Sequence, residues 1–295
     1  MSIIKTTDEQ TQHQGDVTSI TFHDGRLYSA GGDGKIKIWD VNLNFIRDVI
    51  IHEAYIYAIA VDKVGKLYSS SCDGSIKCVK KPLESDDHDV ILQHENEIEA
   101  VFVDDKLWFY CGDDKGGVTA FEDGKLKFTL NIVECVKSLY VENNLYYTLL
   151  NHDLSIHEVR GENGKFVMKG SIPGKFPVTL FGEKTAGRSK YFAILTRDGK
   201  GITIAKNGVD EKFEKLAVKE NLHEMIVNAM VGFGEFLFSA DYAGKVVRSK
   251  VEGNQLTTLE SFNTGSGCAN CLAIIDDKTI FVGSTDGSIK KIHYN

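Results

Sequence analysis

The sequence is poor in the residues that mark unstructured or exported chains. Only three prolines, Pro82, Pro173 and Pro177, occur among 295 residues, and no stretch is enriched in Pro, Ser or Gln, so no long disordered segment is predicted. No apolar run approaches the roughly 18 residues of a membrane span, and the first residues lack the apolar core of a secretory signal. We therefore expect a cytoplasmic or nuclear protein whose six cysteines are reduced.

Basic residues are also scarce relative to acidic ones. The chain has 34 Lys and Arg against 42 Asp and Glu, which gives a formal net charge of −8. Non-specific nucleic-acid binding and docking on anionic membranes both need a basic surface. The balance therefore argues against direct nucleic-acid or membrane partners and leaves proteins or peptides as the expected ones.

What the sequence does contain is a repeat with a period of roughly 42 residues. In each unit, small residues, an aspartate and often a glycine precede an alternating apolar segment, and another alternating segment such as 17–22 or 56–61 lies upstream. Short strands at regular spacing, without helical periodicity, predict an all-β chain of seven units. The aspartates that mark the units are Asp33, Asp73, Asp114, Asp153, Asp198, Asp241 and Asp286.

The first unit resembles a WD repeat. His13, Ser29, Asp33 and the Trp-Asp pair that begins at Trp39 stand in the order of that family, and four strands per blade over roughly 40–45 residues is its signature. The resemblance implies a single seven-bladed β-propeller of four-stranded antiparallel blades over residues 1–295. The other units are divergent, because only the first has the whole motif.

The last unit stops after its third strand and lacks a fourth. Residues 2–6 precede the first unit and have no other strand to join. We expect residues 2–6 to complete the last blade, which closes the ring and removes an exposed sheet edge.

The resemblance assigns a structural role to the polar residues of the motif. His13, Ser29, Asp33 and Trp39 would form a buried hydrogen-bond network that ties a turn to a strand, because buried polar groups need partners. Such a set could be mistaken for a catalytic triad, but triads are defined by geometry, so we expect no catalysis. Related pairs are expected at His52 with Asp73, His94 with Asp114, and His223 with Asp241.

Metal and cofactor motifs are weak. Cys268 and Cys271 form a lone C-x-x-C, whereas a structural zinc site needs four ligands. Residues 31–34 lack the Gly-Lys-Ser/Thr ending of a phosphate-binding loop. The acidic cluster at 86–89 is expected to be an exposed loop. The sequence therefore predicts neither a metal nor a cofactor.

Partner binding is expected where the loops of one propeller face surround the central channel. Tyr55 and Tyr57 are favoured as anchors because aromatic residues are enriched among interface hot spots, and Glu97 with Glu99 would favour a basic peptide. Counting along the strands places the channel mouth at Thr18, Tyr57, Glu99, Lys137, Thr179, Asn228 and Leu272. The predicted partner-binding residues are Tyr55, Tyr57, Glu97, Glu99, Lys137, Phe176, Arg197 and Asn228.

The leading hypothesis is a non-catalytic scaffold or adaptor, present as a monomeric propeller within a complex. One alternative is a substrate receptor of a cullin-type ubiquitin ligase. Many such receptors carry Trp-Asp-x-Arg, whereas here Asn42 stands at the Arg position. A histone-tail reader needs an acidic or aromatic channel mouth, to which Tyr57 and Glu99 could contribute. A propeller hydrolase with a central calcium ion would need several carboxylates or amides there, and only Glu99 and Asn228 are at hand.

Overall fold

The part of the chain that the structure describes is built from strands. The computed structural model describes residues 1–132, 134–149, 153–160, 165–208 and 212–294. Twenty-eight strands occur in these ranges and form seven antiparallel four-stranded sheets, with no helix among them. In the same ranges, no helix long and apolar enough to cross a membrane is present. The predicted fold class is confirmed.

Each sheet is one blade, and its strands follow one another along the chain from blade one to blade six. Strand β1 (Ser2–Thr6) comes first. Blade one contains β2 (Val17–His23), β3 (Arg26–Gly31), β4 (Ile36–Asp40) and β5 (Phe45–Val49). Blade two contains β6 (Ile56–Val61), β7 (Leu67–Ser71), β8 (Ser75–Val79) and β9 (His88–Gln93). Blade three contains β10 (Ile98–Val103), β11 (Trp108–Asp113), β12 (Gly117–Glu122) and β13 (Lys125–Asn131).

The remaining blades follow the same plan, and the last one takes a strand from the start of the chain. Blade four contains β14 (Val136–Val141), β15 (Asn144–Leu149), β16 (Leu154–Arg160) and β17 (Lys165–Ile172). Blade five contains β18 (Lys175–Thr185), β19 (Arg188–Leu195), β20 (Ile202–Lys206) and β21 (Lys215–Lys219). Blade six contains β22 (Val227–Phe233), β23 (Phe236–Asp241), β24 (Lys245–Glu252) and β25 (Gln255–Asn263). Blade seven contains β26 (Ala269–Asp276), β27 (Thr279–Ser284), β28 (Ile289–His293) and β1.

Strand β1 runs antiparallel to β28, with Ser2 opposite His293 and Thr6 opposite Lys290. Thr7 continues the pairing, since its N–H donates to the Ile289 carbonyl at 3.0 Å and its hydroxyl accepts from the Ile289 N–H at 3.0 Å. The first residues of the chain therefore cover the outer edge of blade seven.

The innermost strands of the blades form a closed circle. Strand β2 lies against β6 on one side and against β26 on the other, and the same neighbour contacts continue through the other four blades. The apolar core fills the spaces between adjacent sheets. Val17 and Trp39 of blade one pack with Phe281 and Ile289 of blade seven, for example. Stability thus comes from sheet packed on sheet around the ring.

In several blades a glycine in the turn between the second and third strands bonds the loop that leads to the next blade. In blade two, the Gly74 carbonyl accepts from the His94 N–H of the following loop at 3.0 Å. Gly74 has a φ of +75°, and a Cβ built there would lie 2.0 Å from the His94 carbonyl oxygen. The close approach of two backbones therefore requires glycine at this point.

The repeat aspartate of blade three is one residue earlier than the sequence pattern predicts. The Asp113 carboxylate accepts from the backbone N–H groups of Lys115 at 2.9 Å and Gly117 at 2.8 Å. Asp114 instead accepts from the Glu97 N–H at 3.1 Å. Asp113 lies opposite the first residue of the innermost strand, two residues before the position that Asp33 and Asp73 occupy in blades one and two. The prediction for Asp114 is wrong because the sequence offers two neighbouring aspartates and the pattern does not distinguish them.

Candidate functional site

The polar residues of blade one form a buried chain of hydrogen bonds. His13 Nδ1 lies 2.9 Å from Asp33 Oδ1, and His13 Nε2 lies 2.8 Å from Ser29 Oγ. Trp39 Nε1 lies 2.9 Å from the same hydroxyl. The hydrogen bond from His13 is a main influence that lowers the pKa of Asp33 to about 2, against the opposing effect of burial.

The ionised state of Asp33 fixes the direction of the first bond in this chain. A carboxylate only accepts, so His13 Nδ1–H donates to it. The Ser29 oxygen accepts from the Trp39 indole N–H and also bonds His13 Nε2. His13, Ser29 and Trp39 are each at most 1% exposed, so these groups are closed to any substrate and hold the turn to the strand.

Blades two and six contain parts of the same network. In blade six, His223 Nδ1 lies 2.9 Å from Asp241 and its Nε2 lies 2.8 Å from Ser239 Oγ. In blade two, His52 Nε2 lies 2.8 Å from a serine hydroxyl, but its contact with Asp73 is longer, at 3.4 Å. Burial lowers the pKa of both His52 and His223 and outweighs their carboxylate partners, so both rings are neutral at pH 7.

Blade three lacks the network. His94 is exposed, and its Nδ1 accepts from the Asn96 N–H at 3.1 Å instead of meeting a carboxylate. The predicted pair of His94 with Asp114 is therefore wrong. The serine that bonds the imidazole in blades one, two and six is Cys111 here, as the pairing register of β10 with β11 shows, so a strong partner for a buried imidazole is missing.

The loops before the innermost strands and the turns after the second strands lie on one side of the ring, which we call the loop face. In blades one, two, three, six and seven, the first residue after the second strand donates its N–H to the residue before the innermost strand. Tyr242 donates to Ile226 at 3.0 Å and Cys72 donates to Tyr55 at 2.9 Å, for example. These bonds keep turns and loops together, so their side chains form one surface.

The channel mouth consists of the second residues of the innermost strands. The strand registers confirm this position for Thr18, Tyr57, Glu99, Lys137 and Asn228, and all are half-buried. Two positions differ from the sequence alignment. Phe176 replaces Thr179, because the Val178 N–H donates to Ser138 as the Ile59 N–H does to Ser19. Asn270 replaces Leu272, because Ala269 pairs with Ser284 at the strand start.

Polar side chains at the mouth of blades one to four pair with each other. The Tyr55 hydroxyl donates to Asp16 at 2.8 Å, and the Tyr57 hydroxyl donates to Glu97. The two tyrosine rings touch, with centroids 5.1 Å apart. Desolvation, with the carboxylate partners as a further cause, raises the pKa of both tyrosines, so both remain neutral donors.

Lys137 forms an ion pair with Glu99 across neighbouring blades. The sequence predicted an acidic sector from Glu97 and Glu99, but this pair compensates one of the two charges, so less free negative charge remains there. Arg197 is exposed and pairs with Asp153 at 3.0 Å. The eight predicted partner-binding residues thus lie on the loop face or at its channel mouth, and their binding role stays a prediction.

Three exposed apolar residues on the loop face are absent from the predicted partner-binding residues. Met225 and Ile226 are each 48% exposed, and Tyr242 is 50% exposed. The backbone bond between Tyr242 and Ile226 places them side by side at blade six. The sequence does contain a signal for two of them, because the apolar residues Met225 and Ile226 directly precede Val227, the first residue of β22.

The cysteines are thiols in a mostly buried setting. All six are free, and Cys268 and Cys271 are buried. Burial raises the pKa of Cys268 to about 11 and raises that of Cys271 further, so neither is a thiolate at neutral pH. Among the residues that the structure describes, no group of three or more His, Cys, Asp or Glu side chains is placed to hold a metal ion.

The described strands form a seven-bladed β-propeller, and its first blade contains the complete hydrogen-bond network. The WD domain, G-beta repeat family model matches residues 4–40, which contain the whole motif. The first blade is thus a WD40 repeat, the chain is a seven-bladed propeller with divergent later repeats, and the resemblance seen in the sequence is confirmed.

Comparisons with known proteins agree with this class. A structure described as the WD40 β-propeller domain of Doa1 superposes with a TM-score of 0.81 at 16% identity, covering 99% of this chain and 96% of that one. The computationally designed Ika8 protein gives a TM-score of 0.71 at 16% identity over 96% and 98% of the two chains. These likenesses show the fold. The Putative E3 ubiquitin-protein ligase LIN-1 of Lotus japonicus is 22% identical over 94% of this chain, which spans 18% of that relative's length.

Proposed function

We propose that this chain is a non-catalytic scaffold or adaptor that binds a partner protein or peptide on the loop face. WD40 propellers generally serve as interaction domains, and this chain has their fold and first-blade repeat. The observation that carries the proposal is the cluster of Met225, Ile226 and Tyr242, which leaves three large apolar side chains about half exposed on one surface. Adjacent exposed apolar residues mark interaction sites in soluble proteins.

A second part of the proposed surface lies at blade two, across the ring from blades five and six. Tyr55 and Tyr57 are held by hydrogen bonds to Asp16 and Glu97 and by their mutual contact. Fixed side chains lose little conformational entropy when a partner binds. We infer that a partner seated on Ile226 and Tyr242 extends over the channel mouth toward these two tyrosines.

The test is affinity purification of the whole chain, followed by identification of bound proteins. The variant Ile226→Asp should lose the specific partner, and Tyr55→Ala/Tyr57→Ala should weaken its capture. Val64→Asp is the matched control, because Val64 is 61% exposed in the β6–β7 turn on the opposite side of the ring. If Ile226→Asp retains all partners and Val64→Asp loses them, the binding surface is on the other face and the proposal fails.

A second candidate is a subunit of a ubiquitin ligase, which the name of the Lotus japonicus relative favours. The position after Trp39 and Asp40 weighs against a cullin-type receptor, since Val41 and Asn42 follow in place of x-Arg. Asp40 also accepts from the Asn42 N–H at 2.8 Å and the Asn44 N–H at 2.9 Å within its own turn. Co-elution of the purified chain with the ligase adaptor would support this candidate, and separate elution would remove it.

A further inference from the structure

A groove of about 660 Å³ opens on the side of the ring between blades two and three. One wall is apolar and includes Ile91 of β9, Phe121 of β12 and Leu126 of β13. Polar side chains complete the lining, among them Thr119 and Lys115, whose ammonium pairs with Asp114, and Asp113 lies at the loop-face end. The groove is separate from the channel mouth and from the apolar cluster at blade six. Its chemistry can be derived from the sister blades, where the corresponding space is filled.

In blade six the corresponding carboxylate holds an imidazole. Asp241 accepts from its turn amides at Ala243 and Lys245 with one oxygen, at 2.9 and 3.0 Å, and bonds His223 with the other at 2.9 Å. Asp113 occupies the same register position, opposite the first residue of the innermost strand. The equivalent imidazole, His94, accepts from the Asn96 N–H at 3.1 Å and makes no hydrogen bond to Asp113.

Two residues near Asp113, Thr119 and Gly117, have small side chains or none. Thr119 stands where β8 carries Lys77, whose ammonium reaches the Ile51 carbonyl. Gly117 lies next to the carboxylate, and a Cβ built there would be 2.5 Å from Asp113 Oδ2. Because Gly117 has no side chain and Thr119 is shorter than lysine, the space beside the Asp113 carboxylate remains accessible.

The two carboxylate oxygens of Asp113 accept different numbers of hydrogen bonds. Oδ1 accepts from two backbone N–H groups, at Lys115 and Gly117. Oδ2 has one long contact, 3.4 Å from the side-chain amide of Asn96. A carboxylate oxygen can accept more than one hydrogen bond, so Oδ2 retains acceptor capacity directed at the groove.

We propose that this groove is a second binding site, which accepts an arginine side chain from a partner peptide. A guanidinium supplies several N–H donors in a plane, of the kind that the imidazole of His223 supplies in blade six, and its charge complements the Asp113 carboxylate. Its methylene stem fits the apolar wall formed by Ile91 and Phe121. The site can operate whether or not the loop face binds its own partner.

The probe is N-acetyl-arginine amide added to the intact chain, with binding followed by NMR of the backbone amides. The amide signals of Lys115 and Gly117 should shift. N-acetyl-citrulline amide has the same shape without the charge and should bind at least about tenfold more weakly. Asp113→Asn keeps an acceptor for the turn amides, and it should also weaken arginine binding by about tenfold or more.

A plug variant tests the position of the site independently of Asp113. Thr119→Lys restores the lysine of blade two and should abolish the shifts, whereas Thr119→Ser leaves the groove open and should keep them. Equal binding of the citrulline probe, binding that survives Asp113→Asn, or binding that survives Thr119→Lys would each overturn the assignment. Loss of partners in Ile226→Asp, with arginine binding intact, would show that the two surfaces act separately.

Discussion

The hydroxyl of Ser29 is the centre of the blade-one network, and its removal has a calculable cost. In Ser29→Ala, the Trp39 indole N–H and His13 Nε2 both lose their partner in a fully buried site. A buried polar group left without a partner costs about 1–3 kcal/mol. With two such groups, the free energy of unfolding should fall by about 2–6 kcal/mol.

A matched control exists in blade six, where Ser239 bonds His223 at 2.8 Å. The residue at the Trp39 position in that blade is Ser249, so no indole depends on the hydroxyl. Ser239→Ala should therefore cost about 1–3 kcal/mol, roughly half of the effect in blade one.

The assay is urea unfolding of the two variants and the wild-type chain, monitored by tryptophan fluorescence and by circular dichroism. Equal losses in Ser29→Ala and Ser239→Ala would mean that the indole bond contributes nothing. A loss below about 1 kcal/mol in Ser29→Ala would refute the assignment of that hydroxyl as the shared partner.

Three further outcomes follow from the structure. Because burial lowers the pKa of His52 and His223, these two side chains bind protons below about pH 6.5 in the unfolded chain but not in the folded one. The free energy of unfolding should then decrease as the pH is lowered through that region. A His52→Gln/His223→Gln variant should show a weaker dependence on pH. Gly287→Ala puts a Cβ 2.2 Å from a carbonyl of the next loop, whereas Gly25→Ala has nothing within 4 Å at a similar positive φ; urea midpoints should show a larger loss for the first, and equal losses would contradict the steric argument. Cys111→Ser buries a hydroxyl that His94 does not reach, so the free energy of unfolding should fall by about 1–3 kcal/mol, and an unchanged or higher value would show that His94 can turn inward to bond it.

The architecture was predictable because turn chemistry repeats along the sequence. In turns such as Asp33 with Gly34 and Asp73 with Gly74, the aspartate accepts a backbone N–H two residues later and the glycine has a positive φ. The alternating apolar strands are spaced evenly between these turns. The predictions failed where the repeat changes locally. In blade three, the aspartate moves to Asp113, and a histidine at the right spacing faces solvent because Cys111 replaces a serine.

The channel mouth was predicted in five blades and misplaced in two. Strand β18 pairs irregularly with β19 after Lys175, so the alternation of Val178 and Thr179 gave no guide to the register. In blade seven the innermost strand begins at Ala269, two residues before the apolar run that the alignment used. Small residues such as Ala269 weaken the hydrophobic pattern, and only pairing with the neighbouring strand defines the strand start.

Closure of blade seven by β1 has a consequence for how the protein is made. Among the described strands, β1 leaves the ribosome first, and its partner β28 leaves last. The earlier blades can form during synthesis, but this sheet must wait until β28 has been made. Contacts between such distant segments form slowly because their loop entropy is lost before pairing stabilises them. We expect native compactness to appear only after residue 293 is released, and chains halted within blade seven to remain open and prone to associate through the unpaired β1.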